Sequence, residues 1–97
     1  MVQTVISRTL SAGGKMLLLE KPHTLSRIFF SIRALADQST WYQSQVSFDD
    51  PSFRSFYVLN GPAKYFEAKG EGIFQGDVWV KNESTISLWY AISEILR

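Results

Sequence analysis

The chain has no cysteine, one histidine and three prolines in 97 residues. Without cysteine there are no disulfide staples and no thiolate metal sites, and neither redox compartment is favoured. A single imidazole leaves too few soft ligands for a zinc centre. Charge of one sign is also missing: ten basic and nine acidic residues leave a net charge of +1. Nucleic-acid binding by counterion release needs a clustered basic face. Here Arg27 and Arg33 are separated by apolar residues, and Lys64 and Lys69 are interleaved with Glu67 and Glu71. No nucleic-acid partner is expected. The apolar runs, Met16–Leu19 and Leu88–Ile92 among the longest, fall far short of the ~20 residues that span a bilayer. The first residues, MVQTVISRTLSAGG, lack a basic segment followed by an apolar core, so neither a signal peptide nor a membrane partner is expected.

What remains is apolar and aromatic: 45% and 14% of the residues. That suffices for one packed core and leaves no room for a second, so residues 1–97 are expected to form one domain. Turn signals recur at strand-length intervals. They are Ser11-Ala12-Gly13-Gly14, Glu20-Lys21-Pro22-His23, Asp37-Gln38-Ser39, Asp49-Asp50-Pro51, Asn60-Gly61-Pro62, Gly70-Glu71-Gly72 and Asn82-Glu83-Ser84. Gly, Pro and Asn/Asp serve turns through their backbone freedom, fixed φ and local hydrogen bonds respectively.

Between these signals lie the predicted strands Val2–Leu10, Lys15–Leu19, Leu25–Ala34, Trp41–Phe48, Phe53–Leu59, Ala63–Ala68, Ile73–Lys81 and Thr85–Ile92. A period of two supports them. Ile28, Phe30, Ile32 and Ala34 oppose Arg27, Ser31 and Arg33; Tyr42, Val46 and Phe48 oppose Gln43, Gln45 and Ser47. Phe74, Gly76, Val78 and Val80 oppose Gln75, Asp77, Trp79 and Lys81. Helix competes over Ser31–Gln38 and Ser87–Arg97, where apolar spacing is partly helical. Thr85, Ile86, Trp89, Tyr90 and Ile92 favour the pleated surface instead. The expected fold is an all-β antiparallel sandwich of about eight strands.

The reactive motifs are weak. Gly70, Gly72 and Gly76 are spaced G-x-G-x-x-x-G, one residue off the dinucleotide fingerprint, and no helical pattern follows. They read better as a turn, with Gly76 making room for a bulky neighbour. Gly14-Lys15 is followed by Met16 where a phosphate loop needs Ser or Thr. His23, in EKPHTLS, has no nucleophile elbow beside it and reads as a turn residue. Asp49-Asp50 would point to opposite faces of an extended chain, wrong for a carboxylate pair across a substrate; an Asx-type turn into Pro51 fits better. Asn82-Glu83-Ser84 matches a glycosylation acceptor but reads as a turn. No catalytic residue, metal site or cofactor is expected, and the chain reads as a non-enzyme.

Trp41, Tyr42, Tyr57, Tyr65, Trp79, Trp89 and Tyr90 exceed what one small core easily absorbs. Trp41, Tyr42, Trp79, Trp89 and Tyr90 are therefore the candidate interface or ligand residues. Trp79 shares its face with Gln75, Asp77 and Lys81, and Trp41 shares its face with Gln43 and Gln45. Three explanations stand open. A partner subunit covers the aromatics, as in interface cores; sugar rings stack on them, as bases do on other β folds; or a bulge turns Trp79 inward.

The stretch FEAKGEGIFQGDVWVKNESTISLWYAISEIL carries the order F-x-x-x-G-x-G, then G-D-V-W-V, a turn and a tyrosine-bearing last strand. Over residues 66–97 it resembles the closing strands of small jelly-roll β-sandwiches of tailed-phage particles, which decorate or cement capsids or head fibres and spikes as trimers. The resemblance implies a virion protein, assembled in the host cytoplasm, that forms a homo-oligomer, favourably a trimer, and binds capsid or fibre subunits. It brings no catalytic residues. Sugar-binding sandwiches also pair glycine turns with strand tryptophans, so a carbohydrate-binding module with a glycan ligand is the alternative.

Overall fold

The computed structural model describes residues 1–36, 41–61, 65–71 and 75–97. Eight strands follow in order: β1 Val2–Leu10, β2 Lys15–Leu19, β3 Arg27–Leu35, β4 Tyr42–Phe48, β5 Tyr57–Gly61, β6 Tyr65–Glu71, β7 Val78–Asn82 and β8 Leu88–Leu96. They form two four-stranded sheets, ordered β1-β8-β3-β6 and β2-β7-β4-β5. Every pairing is antiparallel. The outer pairs β1–β8, β2–β7, β3–β6 and β4–β5 are those of one long hairpin folded at the β4–β5 connection. Rolling that hairpin sends alternate pairs to opposite sheets. The result is a jelly roll, and no helix occurs among the described residues.

The predicted alternation sets the core. Ile32, Ala34, Val78, Val80, Leu88 and Ile92 are at most 2% exposed and meet between the sheets in one cluster. Two polar ties cross the same interior. The Tyr42 hydroxyl donates to the Ala34 carbonyl at 3.0 Å, and Ser44 and Tyr90 share a hydroxyl–hydroxyl bond. Burial pushes the Tyr90 phenol up to about 12; the Ser44 bond opposes this and neighbouring Tyr42 adds to it. Among the described residues, no buried side-chain nitrogen or oxygen lacks a partner.

Several expectations need correction. Arg27 does not lie opposite Phe30. A bulge at Ile28 shifts the β3–β8 register between Arg27 and Phe29, which turns Arg27 inward to 1% exposure. Its guanidinium meets the Glu94 carboxylate at 2.7 Å and donates to the carbonyls of Gly76 and Glu20. Gln75 closes the group, accepting from the Arg27 N–H and donating to its carbonyl. Breaking such a buried pair from one side typically costs ~3–5 kcal/mol.

Gly70 and Glu71 do not turn. They continue β6 opposite Phe30 and Phe29. Residues 53–56 are not strand either, because the Asp50 carboxylate accepts from the Ser52, Arg54 and Ser55 N–H groups and curls the segment. Phe53 sits there at φ 53°. The last strand starts at Leu88 and runs on to Leu96, and both stretches with helical spacing contribute strand. The expected turn at Asp37-Gln38-Ser39, the residues Pro62, Ala63, Lys64 and Gly72, and the facing of Ile73 and Phe74 lie outside the described residues.

Gly76 does make room, though for a carboxylate. A Cβ there would stand 2.3 Å from Asp49 Oδ2. That approach lets the Asp77 N–H reach Asp49 Oδ1 while the Asp49 N–H bonds the Asp77 carbonyl. The glycosylation triplet closes a turn. Asn82 is fully buried, its amide donating to Leu10, Ser11 and Ile86 carbonyls and its oxygen accepting from Ser84. It is not an accessible glycan acceptor in this fold.

Candidate functional site

The five candidate aromatics do not come together. Tyr42 and Tyr90 are 1% and 0% exposed, so neither ring is available to a partner or a sugar. Both preserve alternation: each follows a tryptophan that points the other way. Trp89 is half-buried on the outer face of the β1-β8-β3-β6 sheet, between Thr9 and Leu35. Trp79 is half-buried on the outer face of the opposite sheet, between Leu17 and Ser47. It does not turn inward; Val78 and Val80 on either side hold the core face. The bulge at this level lies in β2, between Leu17 and Leu19.

The β4–β5 connection crosses the outer face that carries Trp79. The Ser47 hydroxyl on β4 donates to the Asp50 and Ser55 carbonyls. Two strands away, Lys15 on β2 donates to the Pro51 carbonyl at 2.7 Å and lies 6.0 Å from the Phe53 ring centre. The intervening strand is β7, with Trp79 and Lys81 on this face. The strap that spans it was unreadable in sequence because it depends on Lys15, far away in the chain. Asp50 anchors it. Burial pushes its carboxyl up, but the Ser55, Arg54 and Ser52 N–H groups and the Arg54 charge outweigh this and hold it below the usual range.

Large apolar side chains are exposed at two sheet edges: Met1, Val2 and Val5 at β1, and Trp41 and Phe56–Val58 around β5, an edge of the β2-β7-β4-β5 sheet. Trp41 is 59% exposed, and Phe56, Tyr57 and Val58 are 42%, 60% and 50% exposed along and just before edge strand β5. Across from β5 stands β6, the edge of the other sheet. Between them opens a cavity of about 310 Å³. Its walls include Phe30, Phe48 and Tyr57, with Ile32, Val46 and Leu59 behind them. The three rings form an edge-to-face series, 5.6 Å from Phe30 to Phe48 and 5.9 Å from Phe48 to Tyr57. Val58 and Lys69 border the mouth. Trp41 was a candidate from sequence; Tyr57 was counted among the excess aromatics but not as a candidate, and Phe56 and Val58 were read only as part of the strand Phe53–Leu59. His23 is an exposed residue of the β2–β3 connection, and no cluster of three or more His, Asp or Glu among the described residues could hold a metal.

No protein-family profile and no curated protein sequence matches the chain. Its fold is shared. A de novo designed double-stranded β-helix is similar over 95% of this chain and 99% of its own, with TM-score 0.54 and 14% identity. A Cupin_2 domain of an XRE family transcriptional regulator from Enterobacter cloacae is similar over 95% and 79%, with TM-score 0.59 and 10% identity. A chain of the nora virus structure is similar over 97% of this chain and 55% of that one, with TM-score 0.56 and 9% identity. At these identities the likeness shows the jelly-roll fold alone.

Proposed function

We propose that the protein is a non-enzymatic assembly component of a virus particle, a phage in the reading that the C-terminal resemblance implies. It oligomerises, favourably as a trimer, and binds capsid or fibre subunits through apolar β surfaces. The observation that carries this is the exposure of Phe56, Tyr57 and Val58 at edge strand β5, with Trp41 exposed just before the adjoining strand, towards the other end of β5. Exposed apolar sheet edges invite pairing with other chains, and folded proteins cover or charge them. A neighbouring subunit is the cover consistent with a jelly roll that builds particles, and one solved structure of this fold is that of nora virus. Cyclic assembly by a head-to-tail contact would close a ring.

Light scattering coupled to size exclusion tests the reading. The expected result is a stable trimer or larger ring for the native chain. Val58→Lys, which puts a charge on the edge, should dissociate it while leaving the melting temperature within a few degrees. A monomeric native chain would overturn the assembly reading. Trp41, exposed on the face of Gln43 and Gln45, would then be tested as a sugar-stacking residue by its fluorescence on a glycan series.

A further inference from the structure

We propose that β1 is a self-pairing edge: two copies of this chain join antiparallel through residues 2–8, about a two-fold axis at Val5, and their two four-stranded sheets become one continuous sheet. This goes beyond the ring reading and does not rest on it. β1 and β2 lie at one side of the sandwich, β5 and β6 at the other.

The hydrogen-bond pattern shows which backbone groups β1 offers. Arg97 exchanges both bonds with Ser26, its N–H at 2.9 Å and its carbonyl at 3.2 Å, so its backbone groups face the β3 side of β8. Backbone groups alternate sides along a strand. Glu94, Ile92 and Tyr90 therefore face β1, where their partners are Thr4, Ile6 and Arg8. Gln3, Val5 and Ser7 direct N–H and C=O to the open side, where no described strand lies. The Ser7 carbonyl is met there by the exposed Arg8 guanidinium at 2.9 Å, a flexible donor that a strand N–H can replace. Folded proteins guard such edges with short strands, bulges, lysine or proline. β2, the neighbouring edge, has five residues, a bulge between Leu17 and Leu19, and Lys15. β1 has nine residues in unbroken register, no proline and one charge, Arg8.

A second copy fits this edge. Pairing about Val5 sets Val5 against its own counterpart, Gln3 against Ser7 and Thr4 against Ile6. On the outer face Val5, 68% exposed in the single chain, gains an apolar cross-strand partner, and uncharged polar pairs flank it. The contact is apolar at its centre and polar at its rim, as larger interfaces are. Arg8 falls opposite Val2, which is 47% exposed, and the two Arg8 residues stand roughly 20 Å apart along the pair. That exceeds the screening length of ~8 Å, so no like charges oppose the contact. A strand pair alone is smaller than the ~800 Å² per partner of a standard interface. The pair is therefore reversible and fills at high local concentration.

Cross-linking reads the register, since the chain has no cysteine. Val5→Cys, treated with a short bismaleimide, should give a covalent dimer on a denaturing gel. Thr9→Cys, on the same face of β1, should react at least several-fold more slowly, because its thiols would stand roughly 27 Å apart. The gel counts covalent pairs whatever ring the protein forms, so this contact and the ring stand or fall separately. Gln3→Pro removes an open-side N–H that β8 does not use, and should cut Val5→Cys cross-linking several-fold. Should that variant fail to fold, Ser7→Pro removes the N–H of its partner position. In the native chain, concentrating the protein should slow amide exchange at Val5 and Ser7 several-fold and leave Thr4 and Ile6, already bonded to β8, unchanged. Equal cross-linking of the two cysteine variants, a folded proline variant that cross-links as well as its parent, or exchange at Val5 independent of concentration would each overturn the proposal.

Discussion

Trp41-Tyr42 and Trp89-Tyr90 are the same dipeptide placed in opposite sheets. In both, the tyrosine enters the core and bonds to the facing sheet, Tyr42 to the Ala34 carbonyl and Tyr90 to Ser44. The tryptophans diverge. Trp89 lies on β8, flanked by β1 and β3, and its neighbours Thr9 and Leu35 leave it half-buried. Trp41 stands just before β4, where Tyr42 is paired with the last residue of edge strand β5, and is 59% exposed. Alternation decides which ring goes inside. Position in the sheet decides how much of the outer ring remains bare.

The largest separation should appear when the two tyrosines are truncated. Tyr90→Ala and Tyr42→Ala should each lower unfolding free energy by about 3–5 kcal/mol in urea titrations, as large-to-small core changes do. A loss below about 1 kcal/mol for either would break the claim that both dipeptides bury their tyrosine.

A smaller effect distinguishes the two phenols by pH. The Tyr90 folded-state value of about 12 lies above the ordinary tyrosine value near 10. Its stabilising contribution is therefore fully present below pH ~10 and lost as pH rises from there through ~12. The gap corresponds to on the order of 2–3 kcal/mol. Urea midpoints measured across that range should fall for the native chain and less steeply for Tyr90→Phe. Equal slopes would show that this phenol does not govern the alkaline loss.

The smallest change belongs to the outer rings. Trp41→Ala should shift stability by no more than about 0.5 kcal/mol, the range for exposed positions. Trp89→Ala should cost more, because it removes half-buried area in a central strand. Thermal melts of both variants check the order, and equal losses would remove the contrast between edge and centre.

Much of this molecule was legible in advance. β1 and β2 begin and end at Val2–Leu10 and Lys15–Leu19 as predicted, since the turn residues Gly13-Gly14 and Pro22 bound them. Boundaries failed where a side chain from a distant element intervened. Asp50 curls residues that favour strand, and Asn82 stabilises a turn that reaches as far as Ile86. The Arg27 reversal escaped notice for a similar reason. A one-residue bulge leaves no mark in a period-two pattern, and its cause, a buried pair with Glu94 at 2.7 Å, links residues far apart in sequence. The five candidate aromatics were named together on residue type, and the fold distributes them over a core and two outer faces.

By itself the sequence determined that this is an all-β chain, that its apolar residues alternate, and that Tyr42 and Tyr90 sit opposite in facing to their tryptophans, because side-chain direction in a strand is a local property. Only the tertiary structure decided which face was the inside, that the β4–β5 strap crosses the Trp79 face, and that Arg27 and Glu94 meet in the interior. Those outcomes depend on which strands become neighbours, and pairing between distant segments is set by the packing of the whole sandwich, not by any stretch read alone.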